Sequence, residues 1–128
     1  MIKILFDGDL TNPEIEFSAS SKELIYLGHQ LRVLTHGLEL AGENSESKYY
    51  PEYLKSITFQ ILDKPMDMVA IHIQDKKLFI VSSQNNINDL GFSLLNVFDG
   101  SSQTNTHFHL DYFDDDIQKA SLIILCRN

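Results

Sequence analysis

Two segments of this 128-residue chain repeat each other at a constant spacing of 63 residues. The strand patterns that enter the two segments match at that spacing, and so do identical residues within them. Leucines at helical spacing occur in any strand-to-helix unit, so the shared Leu-Gly pair is the more specific part of the match. We therefore predict an internal repeat of two ββαβ units, over residues 1–62 and 63–128. The identical pairs are Ser20 and Ser83, Leu27 and Leu90, Gly28 and Gly91, Leu31 and Leu94, and Gly37 and Gly100.

Hydrophobic periodicity predicts an α+β fold. Segments in which apolar and polar residues alternate predict seven strands, and segments with leucines three and four residues apart predict two helices. Each half of the chain should contribute one helix. The predicted strands cover residues 2–6, 14–18, 54–62, 68–74, 78–82, 106–112 and 121–127.

The helix ends are predicted from capping signals. Ser20 and Glu23 have the spacing of a capping box, which predicts a first helix over residues 21–36. Asn85 or Asn86 can cap the second helix, because a short amide side chain accepts from the first free backbone amides. Glycine commonly ends a helix in the left-handed conformation. The predicted stops are Gly37 and Gly100.

The two units should pair edge to edge, because this hides the strand edges that either unit alone would expose. The result would be one mostly antiparallel sheet of about seven strands. Short connections should place both helices on one face of it, and Gly28 would let a strand approach the first helix closely. The opposite face should then be open and polar. It would carry Glu14, Glu16, Thr58, Gln60, His72, Gln74, His107 and His109.

Charge and composition restrict the class of partner. Ten Lys and Arg residues against 18 Asp and Glu residues give a net charge of −8, which disfavours nucleic acid and anionic membranes and favours a basic protein. A hydrophobic fraction of 43% and this length suit a single globular domain, residues 1–128. The lone cysteine, Cys126, and the lack of a signal-peptide pattern predict a cytoplasmic protein. No cofactor is expected.

The stretch from His107 to Asp111 is the most distinctive candidate site. Strand alternation puts His107, His109 and Asp111 on one face, with Phe108 and Leu110 on the other. Two imidazoles and a carboxylate could bind Zn²⁺ or Fe²⁺ and leave positions open for water. However, same-face residues on one strand stand about 7 Å apart, so all three cannot reach one ion. We favour a polar face that contacts a protein partner.

Two other segments are candidates for partner binding. The acidic turn after the histidine strand could attract a basic partner, and it lacks the alternation and closing glutamate of a calcium loop. Residues 41–53 are polar and rich in tyrosine, which is typical of an ordered surface loop that can form an interface. The candidate residues are Asp114, Asp115, Asp116, Tyr49, Tyr50 and Tyr53.

The stretch His107-Phe108-His109-Leu110-Asp111-Tyr112, with the acidic turn and the apolar strand 121–125, resembles small bacterial immunity proteins of polymorphic toxin systems. In those proteins a His-x-His-Leu-Asp strand precedes a serine and an apolar closing strand. Residues 15–20 and the helix start after them also resemble that family's strand-to-helix entry. The resemblance implies a non-enzymatic inhibitor that sequesters a cognate toxin in the producing cell. The net charge of −8 would suit a basic nuclease-type toxin.

Two other functions stay open at this point. A metal-dependent enzyme would use His107, His109 and Asp111, whereas a structural domain would associate with its own copies through an apolar patch. For the binding function we expect a monomer or a weak homodimer, with no nucleic-acid and no membrane partner.

Overall fold

The computed structural model describes residues 1–45, 47–99 and 106–127 of the chain. It confirms the α+β class, with two helices and nine strands in those residues. The helices are α1 (Ser21–Arg32) and α2 (Gln84–Phe98), and neither is long and apolar enough to cross a membrane. The strands are β1 (Lys3–Phe6), β2 (Glu14–Ala19), β3 (Gly37–Ala41), β4 (Glu52–Tyr53), β5 (Ser56–Ile61), β6 (Ala70–Gln74), β7 (Lys77–Ser82), β8 (His107–Asp114) and β9 (Ile117–Cys126).

The strands form two sheets, whereas the sequence predicted one sheet of about seven strands. The first sheet has the order β4-β1-β2-β9-β8, and the second has the order β3-β5-β7-β6. Each sheet contains one parallel pair, β2 with β9 in the first and β5 with β7 in the second. The remaining pairs are antiparallel. Both sheets are therefore mixed.

Each sheet combines strands from both halves of the chain, so the predicted edge-to-edge pairing of two separate halves is wrong. The β8–β9 hairpin joins β2, while β3 and β5 join β7. The exchange places β2, β9, β5 and β7 in the interior of the two sheets, where each strand has a hydrogen-bonded neighbour on both sides. Both sheets and both helices contribute to one buried core, which includes Ile4, Phe17, Leu24, Ile57, Phe59, Leu78, Leu90, Leu94, Leu122 and Ile124.

The first helix starts as predicted and ends early. The Glu23 amide donates to Ser20 Oγ at 3.2 Å and the Ser20 amide donates to Glu23 Oε1 at 3.1 Å, which confirms the capping box. The helix ends at Arg32, and Gly37 begins β3 instead of ending the helix. The sequence Gly-Leu-Glu-Leu-Ala alternates in the manner of a strand, a signal that the helix prediction overlooked.

The second helix begins two or three residues earlier than predicted, with Ser83 as its N-cap residue in place of Asn85 or Asn86. Asn86 does not cap it, because its side-chain amide donates to the Met66 carbonyl at 2.8 Å and to the Ser82 hydroxyl at 2.9 Å. The predicted stop, Gly100, lies outside the described residues. The short strand β4 was not predicted, since two residues give too little pattern.

The predicted duplication stays a prediction. Two features are compatible with it: β2 and β7 have the same order of exposed and buried residues, and each pairs in parallel with a strand from the other half of the chain. The helices α1 and α2 also contact each other through the two glycines that the repeat aligns.

Gly28 and Gly91 allow the two helices to cross at close range. A β-carbon on Gly91 would lie 2.4 Å from the Arg32 amide nitrogen and 2.7 Å from the Gly28 carbonyl oxygen. A β-carbon on Gly28 would meet the Leu95 side chain at 2.9 Å. The element that approaches Gly28 is therefore the other helix, not a strand as predicted. The backbones lie too close at Gly91 for any side chain.

We predict that Gly91→Ala destabilises the protein. In an open helix this change would stabilise by about 0.5–1 kcal/mol, but here the β-carbon collides with backbone and should cost about 1–3 kcal/mol in the free energy of unfolding. Gly28→Ala should lower the free energy of unfolding by less, because the Leu95 side chain can move. Urea unfolding of the two variants and of the parent protein measures both changes in this free energy. Equal or higher stability of Gly91→Ala would contradict the close crossing.

Candidate partner-binding face

The outer face of the first sheet carries most of the candidate residues. Strand register aligns Tyr53, Leu5, Glu16, Ile123 and His109 in one row across all five strands. At strand spacings of about 4.8 Å the row is roughly 19 Å long. We call this surface, with the loop that approaches it, the acidic face. Its polar and aromatic members are Glu14, Glu16, Tyr50, Tyr53, His107, His109 and Asp111.

The histidine strand has the alternation that the sequence predicted. In β8, His107, His109 and Asp111 are exposed, whereas Phe108 and Leu110 are half-buried and pack on the core. The strand lies at one edge of the first sheet, where its described neighbour in the ladder is β9. The exposed residues therefore belong to the acidic face and the apolar ones to the core.

The two histidine rings lie next to each other without a complete metal site around them. The centroids of His107 and His109 are 5.0 Å apart and the rings are perpendicular. Among residues 1–45, 47–99 and 106–127, no three His, Cys, Asp or Glu side chains are close enough to hold one metal ion. His72 lies on the second sheet and stacks on Phe79, with the ring centroids 5.0 Å apart.

The acidic turn forms the tip of the β8–β9 hairpin. Asp115 and Asp116 have φ values of 50° and 62°, the left-handed conformation that a two-residue type I′ turn requires. Aspartate tolerates this conformation better than most residues, which explains why an acidic sequence can make the turn. The three carboxylates of Asp114, Asp115 and Asp116 are exposed at this end of the sheet.

The tyrosine segment reaches the same face from the opposite edge. Tyr53 lies on β4 opposite Leu5, and Tyr50 precedes it in the loop. Desolvation raises the pKa of the Tyr50 hydroxyl, and the nearby carboxylates of Glu16, Glu14 and Asp7 raise it further. Tyr50 is therefore close to the carboxylates of the acidic face. Tyr49 is 76% exposed.

Tyr53 of the tyrosine segment and the histidine strand β8 thus belong to one sheet, at its opposite edges. The sequence could not join them, because the link between them is the pairing of β4 with β1 and of β2 with β9. Both pairings connect residues far apart in the chain. Alternation within each strand correctly predicted which of its side chains share a face. Only the structure shows which strands are neighbours.

The predicted single polar face is divided between the two sheets. Glu14, Glu16, His107 and His109 belong to the first sheet, while the other predicted members belong to the second. On the second sheet the Thr58 hydroxyl donates to Glu39 Oε2 at 3.2 Å. The residues on the second sheet are Thr58, Gln60, His72 and Gln74.

Basic groups at the edge of the acidic face have partners of their own. Lys3 Nζ lies 3.7 Å from Glu43 Oε1. Arg127 Nε donates to Ser18 Oγ at 3.1 Å, and the Arg127 guanidinium also donates to the Met1 carbonyl. These cations do not contact Glu14 or Glu16 in the described ion pairs and hydrogen bonds. No pattern in the sequence indicated this role of Arg127.

Comparisons with protein-family models, with curated proteins and with solved structures found no match.

We predict that Glu16→Gln lowers the pKa of Tyr50. Removal of the negative charge takes away part of the cost of ionising the nearby hydroxyl, while burial of the ring keeps the pKa above its ordinary value. NMR titration of protein with labelled tyrosine rings measures the change. Glu39→Gln, on the outer face of the second sheet, is the control and should leave Tyr50 unaffected. An unchanged pKa in Glu16→Gln would separate Tyr50 from the acidic face.

Proposed function

We propose that this protein is a non-enzymatic binding module that sequesters a basic protein, and that the partner is a bacterial toxin to which it confers immunity. The observation that supports binding is the acidic face, where carboxylates, imidazoles and tyrosines share one side of a five-stranded sheet. The toxin as partner rests on the resemblance of the His-x-His-Leu-Asp strand to immunity proteins. The cytoplasm of the producing cell is the proposed location.

The composition of the acidic face suits a protein interface. Tyrosine is enriched at interfaces because its ring buries a large area and its hydroxyl keeps a hydrogen-bonding group. Ile123 and Leu125 lie half-buried on the same side of β9 and would add apolar contact at the centre. Glu14 and Asp111 lie opposite Ser121 on either side, so carboxylates border this centre.

The charge of the molecule favours a basic partner over a neutral one. A net charge of −8 produces a long-range attraction for cations, which speeds encounter more than it strengthens the final complex. The acidic turn extends the negative surface beyond the end of the sheet. The steering effect should therefore depend on salt, because ions screen charges over about 8–10 Å.

The immunity function is tested by co-expression with the reading frame immediately upstream of this gene. We expect that frame alone to arrest growth of a bacterial host and this protein to restore growth in a dose-dependent way. The two purified proteins should then form a one-to-one complex in analytical ultracentrifugation. An upstream product that is harmless, or whose toxicity this protein does not relieve, would overturn the proposal.

With that toxin as the probe, we predict that replacing Asp114, Asp115 and Asp116 together by Asn slows association and flattens its salt dependence. The exposed carboxylates act at long range, so dissociation should change less than association. Folding stability should change by no more than about 0.5 kcal/mol for each substitution. Stopped-flow binding at several salt concentrations measures the rates.

The matched control removes three carboxylates elsewhere, by Glu39→Gln with Asp63→Asn and Asp99→Asn. All three control residues are exposed and lie outside the acidic face. An equal slowing in both triple variants would assign the effect to net charge alone. An unchanged association rate in the acidic-turn variant would exclude the turn as part of the binding surface. The binding surface would then be sought at Tyr49, Tyr50 and Tyr53.

Two measurements would favour the other functions. Stoichiometric zinc or iron in protein purified without added metal, lost in His107→Ala, would favour the metal-dependent enzyme. A stable dimer in sedimentation, with no affinity for the upstream product, would favour a self-associating domain.

A further inference from the structure

A cavity of about 540 Å³ opens between the turns at the ends of the two sheets. Gly8 and Leu10 of the β1–β2 loop lie on one side, and Asp75 and Lys76 of the β6–β7 turn lie on the other. Its volume lies in the range of about 300–1,000 Å³ that is typical of ligand pockets.

Three apolar side chains contribute to the lining of the cavity. Phe6 is buried and Ile73 is half-buried. Leu10 is 68% exposed, so its side chain lines the opening without a tertiary role that requires it. An apolar group that enters the cavity would cover Leu10 and gain contact with all three side chains.

The charged residues that line the cavity leave it negative. Glu52 and Asp75 line it and are exposed, and neither carboxylate has an ion-pair or hydrogen-bond partner in the parts of the chain that are described. Lys76 also lines the cavity, but its ammonium group lies 4.7 Å from the centre of the Tyr53 ring. The two carboxylates outnumber this one ammonium group, so the lining keeps a net negative charge that favours a cation.

The cavity lies across the edge strand β4 from the acidic face. Glu52, which lines the cavity, and Tyr53, which belongs to the face, are the two residues of β4, so their side chains point to opposite sides of the sheet. Lys76 connects the two sides, because it lines the cavity and its ammonium group contacts the Tyr53 ring. A partner on the acidic face would reach the cavity by extending around the β4 edge.

We propose that this cavity is the anchor site of the interface: it receives an apolar side chain of the partner, and a lysine or arginine next to that side chain contacts Glu52 and Asp75. The proposal rests on the proposed function, since it specifies how a basic partner is held. Interfaces commonly depend on one or two side chains that fill a pocket, with charged contacts around them. Because the carboxylates of Glu52 and Asp75 are unpaired among the described residues, we expect the partner residues next to the apolar side chain to be basic.

The test is a titration of the full-length protein with two short peptides, acetyl-Lys-Phe-Lys-amide and acetyl-Glu-Phe-Glu-amide, observed by methyl NMR. We expect the basic peptide to shift the methyl signals of Leu10 and Ile73, and the acidic peptide to bind at least several-fold more weakly. Glu52→Gln and Asp75→Asn should each weaken the basic peptide about two- to fivefold, as for other exposed charge pairs. Leu10→Ala should weaken it also.

The chain offers a closely matched control for the charge variant. Asp75 has a φ of 53° in the β6–β7 turn, and asparagine adopts this conformation readily, so Asp75→Asn preserves the turn and removes one charge. Asp63→Asn also removes one charge from an exposed aspartate, which lies outside both the cavity and the acidic face. Asp63→Asn should leave peptide affinity unchanged. Shifts remote from the cavity, or equal weakening by both variants, would overturn the anchor site.

The peptide titration and the co-expression test can overturn the anchor site and the immunity function independently of each other. Peptide binding at the cavity together with a harmless upstream product would overturn the immunity function and support a site for basic, apolar segments. Toxin binding that Glu52→Gln, Asp75→Asn and Leu10→Ala do not weaken would support the immunity function and overturn the anchor site.

Discussion

The close crossing of α1 and α2 is the contact on which the arrangement of the two sheets depends. The backbones meet at Gly28 and Gly91, where the space is smaller than a β-carbon needs. Asn88 on α2 reinforces the crossing, because its side-chain amide donates to the carbonyls of Leu31 and Leu34 at 2.8 and 3.0 Å and so satisfies backbone groups at the end of α1. Each helix follows directly from a buried strand, so the position of the helices also fixes where β2 and β7 lie.

Exchange of strands between the halves then determines which side chains share a surface. Because β9 pairs in parallel with β2, the histidine strand β8 is placed two strands from Glu14 and Glu16. The parallel pairs lie in the interior of each sheet, with alternate residues of β2, β5, β7 and β9 in the core. The outer side of the first sheet is left to polar and aromatic residues. The acidic face is thus a consequence of topology that no single segment encodes.

The sequence was sufficient where the signal was local. The capping box of Ser20 and Glu23, the alternation from His107 to Asp111 and the start of β2 all depend on residues within one element. Long-range pairing was not predictable, since a ββαβ pattern in each half fits both one continuous sheet and two sheets that exchange strands. Short or competing signals explain the other errors: Gly37 was interpreted as a helix stop although it opens β3. The cavity beside Glu52 was also missed, because its two sides come from loops about 65 residues apart in the chain.

The electrostatics of the acidic face argue for a role outside the folding of the chain. Burial raises the pKa of the Tyr50 hydroxyl, and the nearby carboxylates of Glu16, Glu14 and Asp7 raise it further, so negative charge is concentrated at this part of the sheet. Of the nearby cations, Lys3 pairs with Glu43, and Arg127 donates to Ser18 and Met1. A basic partner would bring cations to these carboxylates at the moment of contact. Its binding energy would then include interactions that the free protein lacks, which is the physical reason to regard this surface as a binding site.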